Sequence, residues 1–147
     1  MSIYELLHAD HEEVAKMLKE IQSSKGRAKA KLFNEMRAAL TAHLRAEEKV
    51  FYSALKAAKR AKNAALEGFE EHHVADMLMR ELSRLSPSDE KWDAKLKVLK
   101  ENVEHHVEEE EGEVWAKARE ILSDEEAEKL GEHFSVEKEK KLASLAA

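Results

Sequence analysis

Residues that interrupt helices are nearly absent from this chain, which has four glycines and one proline in 147 residues. The intervening stretches are rich in alanine, leucine, glutamate and lysine, which have high intrinsic helix propensity. A sheet protein needs many more turn-forming residues to connect its strands. The sequence therefore predicts an all-α fold.

Apolar residues recur with the 3.6-residue period of a helix in four long segments joined by short connections. This pattern predicts an up-down-up-down four-helix bundle over residues 2–119. The four helices are expected to begin after an N-cap at Ser2, near Ala28, near Ala64 and after an N-cap at Ser88. Asn63 is the predicted joint between the second helix and the third.

A fifth segment follows the bundle. Ser123 and Glu126 have the spacing of a capping box, which predicts a short C-terminal helix over residues 124–143. Its lower apolar content indicates a lid or a packing arm, and the lysine-rich residues 138–141 are expected to form a solvated tail. Residues 1–147 are thus interpreted as one domain.

Composition excludes several classes of function. The chain has no cysteine, which rules out disulfides, thiolate metal sites and thiol catalysis. A formal charge of -6 argues against nucleic acid as a partner, and no apolar run approaches the ~20 residues of a membrane span. We expect a cytoplasmic protein without a signal peptide, present as a monomer or a weak oligomer.

The eight histidines are the first functional signal. One of them lies on the apolar stripe of each predicted bundle helix, and two of these four have a glutamate four residues later, on the same helical face. These inward residues are His11, His43, Glu47, His72, His106 and Glu110.

Six such groups in one bundle interior predict a metal site. A single inward histidine is more often a hydrogen-bonded core residue than a metal ligand. Without a metal site, however, four helices would each have to place a histidine on the inward face by coincidence. Two buried carboxylates without a Lys or Arg on their stripes cost several kcal/mol each, and divalent cations remove that cost. Mixed imidazole and carboxylate donors suit iron, manganese or zinc, and two bridging carboxylates imply two ions. Six-coordinate ions sharing an oxo or hydroxo group would keep one or two positions open.

The order of these motifs resembles the hemerythrin-like HHE cation-binding domain family. The strings Asp10-His11, His43-x-x-x-Glu47, Glu71-His72 and His106-x-x-x-Glu110 follow one another as in that family. The resemblance implies a four-helix bundle with a non-haem di-iron centre. It also implies four terminal imidazoles, at His11, His43, His72 and His106, and two bridges, at Glu47 and Glu110.

Two departures distinguish this chain from the oxygen-carrying hemerythrins. Asp76 stands where those carriers have a fifth histidine, and Glu110 comes one position earlier than their fourth-helix carboxylate, a position that Glu111 fills here. Reversible oxygen transport is therefore not expected as the main function. Asp76 could itself complete the metal shell.

Several other residues could take part in the site. His73 and His105 have polar neighbours on their helices and are expected at the surface or as outer partners, while His8 could orient His11 or lie at a polar helix end. Tyr4 lies on the stripe of His11. It is either a core residue or a phenol that would form a hydrogen bond with a metal-bound oxygen species.

Three functions are compatible with such a centre. It could bind and reduce peroxide, dioxygen or nitric oxide with electrons from an unknown donor, as a catalase- or peroxidase-like enzyme does. It could instead bind, store or sense iron or oxygen without turnover. In a third interpretation the metals only stabilise the bundle.

Overall fold

The computed structural model describes residues 1–147 and contains helices and no strands. We number the helices α1 to α5 in chain order. Their bounds are Ile3–Ser23 for α1; Gly26–Glu47, continued by Glu48–Tyr52 and Ser53–Lys56, for α2; Lys62–Arg84 for α3; Glu90–Glu109, continued by Glu110–Val114 and Trp115–Ile121, for α4; and Asp124–Ala146 for α5. The predicted all-α bundle with a fifth helix is confirmed.

The polar caps of two helices form as the sequence predicts. The hydroxyl of Ser2 accepts from the backbone N–H of Glu5, and the Glu5 carboxylate accepts from the N–H of Ser2. Ser123 forms the same capping box at the start of α5. The cap of α4 is Asp89 and not Ser88, because the Asp89 carboxylate reaches the N–H of Lys91 at 2.8 Å.

Two boundaries differ from those expected. Residues 57–61 form turns between α2 and α3, so Asn63 lies inside α3 and is not the joint. This segment contains only alanine, lysine and arginine, but the fully buried Ala61 packs into the core, and this tertiary contact overrides helix propensity. Helix α5 is 23 residues long and reaches Ala146, so it is not short.

The buried core consists of two apolar clusters of similar size, with 14 and 13 residues. Along α1, Leu7 belongs to one cluster and Val14 to the other, and His11 lies between them. In the other three bundle helices the inward histidine likewise lies between the two clusters, which follow each other in the same order along α3 and in the reverse order along α2 and α4. A polar layer therefore crosses the middle of the bundle and is closed from both ends by apolar side chains.

Two π-helical turns interrupt the long helices at this layer. Glu48–Tyr52 follows Glu47 directly, and Glu110–Val114 begins at Glu110. A π-helical turn adds a residue to the helical repeat and shifts the phase of everything that follows it. Such turns are frequent at functional sites.

None of the five helices combines the length and the apolar character that crossing a bilayer requires.

Candidate metal centre

The structure brings all six inward residues together in the polar layer. Both glutamates have no exposed surface, and the four imidazoles are between 1% and 7% exposed. Their donor atoms form two groups, each within 4.8 Å, that consist of Glu47, His72, His106 and Glu110 and of His11, His43 and Glu47. This His/Glu cluster can bind metal.

The two glutamates lie between two pairs of histidines, which we name the 72/106 pair (His72 and His106) and the 11/43 pair (His11 and His43). In the 72/106 pair, Nε2 of His72 lies 2.9 Å from Glu47 Oε1, and Nε2 of His106 lies 2.9 Å from Glu110 Oε2. The second oxygen of each glutamate faces the other pair. There Glu110 Oε1 lies 3.5 Å from His11 Nε2, and Glu47 Oε2 lies 3.8 Å from His43 Nε2. Each carboxylate thus offers one oxygen to each pair.

Four buried atoms of this cluster have no hydrogen-bond partner in suitable geometry, although Glu47 Oε1 lies only 2.9 Å from His72 Nε2. They are both carboxylate oxygens of Glu47, Oε1 of Glu110 and Nε2 of His11. A buried polar atom without a partner costs about 1–3 kcal/mol, and more when the group is charged. Cations between the two pairs would satisfy all four atoms at once, so the residues present fit a pair of metal ions.

Each of the four imidazoles has an outer carboxylate partner at Nδ1, at distances from 2.7 to 2.9 Å. The bonds join His11 to Glu111, His43 to Asp10, His72 to Glu48 and His106 to Glu71. Such bonds fix the ring and leave Nε2 as the free donor for a metal.

These four bonds close a ring around the bundle. Each helix contributes one imidazole and one carboxylate, and that carboxylate orients the imidazole of a different helix: α1 that of α2, α2 that of α3, α3 that of α4, and α4 that of α1. Each of the four orienting carboxylates is the sequence neighbour of an inward residue: Asp10 of His11, Glu48 of Glu47, Glu71 of His72 and Glu111 of Glu110. The sequence shows these acidic residues next to the inward ones, but only the packing of the helices shows which histidine each carboxylate reaches.

The charges of the site depend on burial and on close contacts. Burial raises the pKa of Glu110, and the adjacent Glu47 carboxylate raises it further. Burial opposes ionisation of Glu47 too, but the contacts with His106 and His43 outweigh it and hold the pKa of Glu47 well below its usual range. For His106, burial is outweighed by the nearby carboxylates of Glu110 and Glu47, which raise its pKa well above the ordinary value. Without metal, the folded protein therefore favours the protonated forms of Glu110 and His106 and the ionised form of Glu47.

Tyr52 is a site residue that sequence reasoning missed. It lies nine residues after His43, about two and a half turns along a regular α-helix, and would face the opposite side. The π-helical turn changes this phase and turns Tyr52 inward. Its hydroxyl donates to Glu110 Oε2 at 2.7 Å and lies 3.1 Å from His106 Nε2. Its ring stacks on His72 at 5.1 Å between centroids.

A glycine makes room for this ring. A Cβ at Gly68 would come within 2.5 Å of the Tyr52 side chain, so only glycine permits the ring to pack against α3 at this point. Burial, followed by the charges of Glu47 and Glu110, raises the pKa of Tyr52 well above its usual value. In the absence of metal, Tyr52 is therefore a protonated hydrogen-bond donor.

The family model of the hemerythrin HHE cation-binding domain matches residues 2–118 of this sequence. The chain belongs to this family. The match covers all four bundle helices except the last residues of α4, and it includes the six inward residues. The predicted resemblance is thereby confirmed, and helix α5 lies outside the matched residues.

Two known proteins are similar to this HHE-domain chain. A DNA nickase of Nostoc sp. (strain PCC 7120) is 28% identical over 141 residues, which are 95% of this chain but only 40% of that protein. The crystal structure of a hemerythrin HHE cation-binding domain-containing protein from Mycobacterium kansasii has a TM-score of 0.85 and 26% identity. That likeness covers 98% of this chain and 89% of the other.

The other candidate residues lie outside the two groups of inward donors. Asp76 accepts a hydrogen bond from Arg45 Nη2 at 2.6 Å. His73 is exposed, and His105 is exposed with Nε2 3.1 Å from Glu109. His8 shares the Glu111 carboxylate with His11, so it is an outer partner of this HHE centre.

Tyr4 lies in the apolar cluster beside the site. Its ring contacts those of Phe51 and Trp115, and its buried hydroxyl has no hydrogen-bond partner. Tyr4 thus packs against core residues, whereas the phenol that forms a hydrogen bond with a residue of the cluster is that of Tyr52.

A small cavity of about 20 Å³ lies beside the four imidazoles. Its other walls are mostly apolar and include Leu40, Ala75 and Val103. This volume holds about one water molecule. The space beside the HHE centre thus suits a ligand of very few atoms.

Proposed function

We propose that this chain holds two iron ions and binds and reduces a small oxygenous ligand: peroxide, dioxygen or nitric oxide. One observation carries the proposal, namely that each buried glutamate offers one oxygen to each histidine pair. Two carboxylates in this position provide for two ions and for their bridging. The ligands would be His11, His43, Glu47, His72, His106 and Glu110.

The donor set supports iron and an incomplete shell. Imidazole and carboxylate together suit iron, and the six side chains supply about eight bonds when both glutamates bridge. Two six-coordinate ions that share an oxo or hydroxo group require about twelve. One or two positions would be left for water or the small ligand.

When bound, two Fe²⁺ ions would supply, by oxidation to Fe³⁺, the two electrons needed to convert hydrogen peroxide to two waters. The reaction also consumes two protons. The Tyr52 hydroxyl keeps one proton between Glu110 Oε2 and His106 Nε2, at the 72/106 pair. A hydroxyl that keeps its proton beside two of the proposed metal ligands could act as a general acid towards a small ligand bound there.

The remaining residues orient the site and restrict access to it. The outer carboxylates fix the four rings, and the apolar clusters above and below exclude bulk water. The small cavity beside the imidazoles limits the ligand to a few atoms. This selection by size agrees with peroxide, dioxygen or nitric oxide.

The proposed function is tested with protein reconstituted with Fe²⁺ under anaerobic conditions. We expect two irons per chain and rapid decay of added hydrogen peroxide. Glu110→Ala should abolish both, while His105→Ala, an exposed matched control, should retain both. Oxygen release without a reductant would identify catalase-like turnover, whereas decay only with an added electron donor would identify peroxidase-like turnover.

Two outcomes would contradict this proposal. Binding of two irons without decay of peroxide, dioxygen or nitric oxide would favour storage or sensing without turnover. A stoichiometry of one iron after careful reconstitution would remove the bridging argument. We carry over no DNA nicking from the Nostoc relative, because this chain spans 40% of that protein and has a formal charge of -6.

A further inference from the structure

We infer that helix α5 is part of the metal centre: Lys138 positions His43 through Asp10, so the ion at the 11/43 pair binds tightly only when α5 is docked. The inference rests on the proposed two-ion site and adds a role for a helix outside the residues that the family model matches.

The link runs through the two oxygens of one carboxylate. Lys138 Nζ donates to Asp10 Oδ1 at 2.6 Å, and Asp10 Oδ2 receives the hydrogen bond of His43 Nδ1 at 2.9 Å. The side chain of Asp10 is 11% exposed and that of Lys138 is 25% exposed. The ammonium group therefore holds the carboxylate in the orientation that presents its second oxygen to His43.

Apolar packing joins α5 to the same histidine. The Phe134 side chain is 1% exposed, and its ring meets the ring of His43 edge-on at 5.7 Å between centroids. Gly131 permits the close approach of α5 to the start of α1, because a Cβ there would overlap the backbone of Met1. His43 is thus held by α5 at Nδ1, through Asp10, and at its ring.

The other outer carboxylates do not depend on α5. Glu48 is paired with Arg45 of its own helix, and Glu111 with His8 of α1. Glu71 has no ion pair with a lysine or an arginine. Asp10 is the one carboxylate of the ring whose cation comes from outside the four-helix bundle.

The expected size of the effect follows from the role of outer partners. Loss of such a partner lowers metal affinity by about 10–100-fold. Lys138 acts one bond further out, so we expect about a 10-fold loss. The loss should fall on one ion, since His43 contributes to one histidine pair only.

The inference is tested by anaerobic titration of the full-length chain with Fe²⁺, to resolve the two stepwise affinities. Lys138→Met removes the charge and keeps most of the stem. We expect it to weaken one ion about 10-fold and to leave the other unchanged. Lys138→Arg should restore most of the loss, and Lys141→Met, a control on the same helix without an ion pair, should behave as wild type.

A merely structural role for α5 would look different. In that case Lys138→Met would lower the melting temperature of the metal-free protein and weaken the binding of both ions equally. Either this pattern or two wild-type affinities in Lys138→Met would overturn the inference and leave the proposed function intact. A wild-type protein that binds no second iron would overturn the proposed function and this inference together.

A double-mutant cycle provides a second measurement. Asp10→Asn and Lys138→Met act through one bond, so their combined effect on the weaker affinity should be smaller than the product of the two single effects. Independent effects that multiply would show that Lys138 does not act through Asp10.

Discussion

The 72/106 pair and the 11/43 pair share both glutamates and the same outer carboxylate arrangement, but their surroundings differ. The 72/106 pair has the Tyr52 hydroxyl within hydrogen-bond distance of one of its imidazoles. The 11/43 pair has no phenol at this position and is covered by Phe134 of α5. Similar ligands on the two sides therefore do not make the two sides chemically equal.

A glycine permits the close contact on each side. Gly68 accommodates Tyr52 beside one pair, and Gly131 lets α5 approach the bundle beside the other. The first contact brings a proton donor to the site, and the second brings a support from outside the bundle. In the proposed function, the first contact would serve proton delivery and the second the binding of one metal ion.

The largest expected effect comes from removing the two proposed ions, which leaves neither histidine pair with a metal to bind. Each ion at 1,000 times its Kd stabilises the fold by about 4 kcal/mol, and a chain of this size changes its melting temperature by about 2–4 °C per kcal/mol. We expect chelation at neutral pH to lower the melting temperature by about 20 °C, measured by circular dichroism.

A variant serves as the control for this effect. Glu47→Gln combined with Glu110→Gln should abolish tight metal binding and yet stabilise the metal-free bundle, since it removes two buried charges. An unchanged melting temperature after chelation would show that the six residues are not a coupled core site.

Substitution of single histidines tests which residues of the 72/106 side are metal ligands. His72→Ala should weaken one iron at least 100-fold, and His106→Ala should do the same, because each removes a direct donor. His73→Ala and His105→Ala are the matched neighbours and should retain two irons, measured by metal analysis after gel filtration. The reverse ranking would mean that the inward helical phase is wrong.

Tyr52→Phe tests the proton donor of the 72/106 pair. The change keeps the ring and removes the hydroxyl, so we expect two irons to remain and peroxide decay to slow about 100-fold. Tyr4→Phe is the control and should leave the rate unchanged. Equal rates in wild type and Tyr52→Phe would exclude Tyr52 as the proton source.

The smallest expected effect is the pH dependence of the metal-free protein. The pKa values of His72, His106 and Glu110 are raised on folding, so each group binds its proton more tightly in the folded state. Stability should therefore increase as pH falls from about 8 towards 5. Below about 4.5 the lowered pKa of Glu47 acts in the opposite direction.

We expect a gain of a few degrees in melting temperature between pH 8 and pH 5.5 for the chelated protein. The iron-loaded protein should lose stability over the same range, because protons compete with metal for the same donors. Parallel curves for the two forms would contradict this assignment of the protons.

Local sequence was sufficient for the fold class and for the phase of the six inward residues. Helix propensity and the 3.6-residue period are local properties, and His43 and Glu47 share a face in any regular helix. For the same reason the capping boxes at Ser2 and Ser123 could be identified from spacing alone. The prediction of a joint at Asn63 was wrong because α2 ends earlier than expected, and the reason is the burial of Ala61, which is a tertiary contact.

Tertiary structure decided what surrounds the ligands. Tyr52 has the wrong phase for a regular helix and faces the site only because the π-helical turn shifts it. Lys138, expected in a solvated tail, meets Asp10 across 128 residues of sequence. Periodicity describes which residues of one helix share a face. These contacts depend on how separate helices pack against each other, which no local sequence pattern specifies.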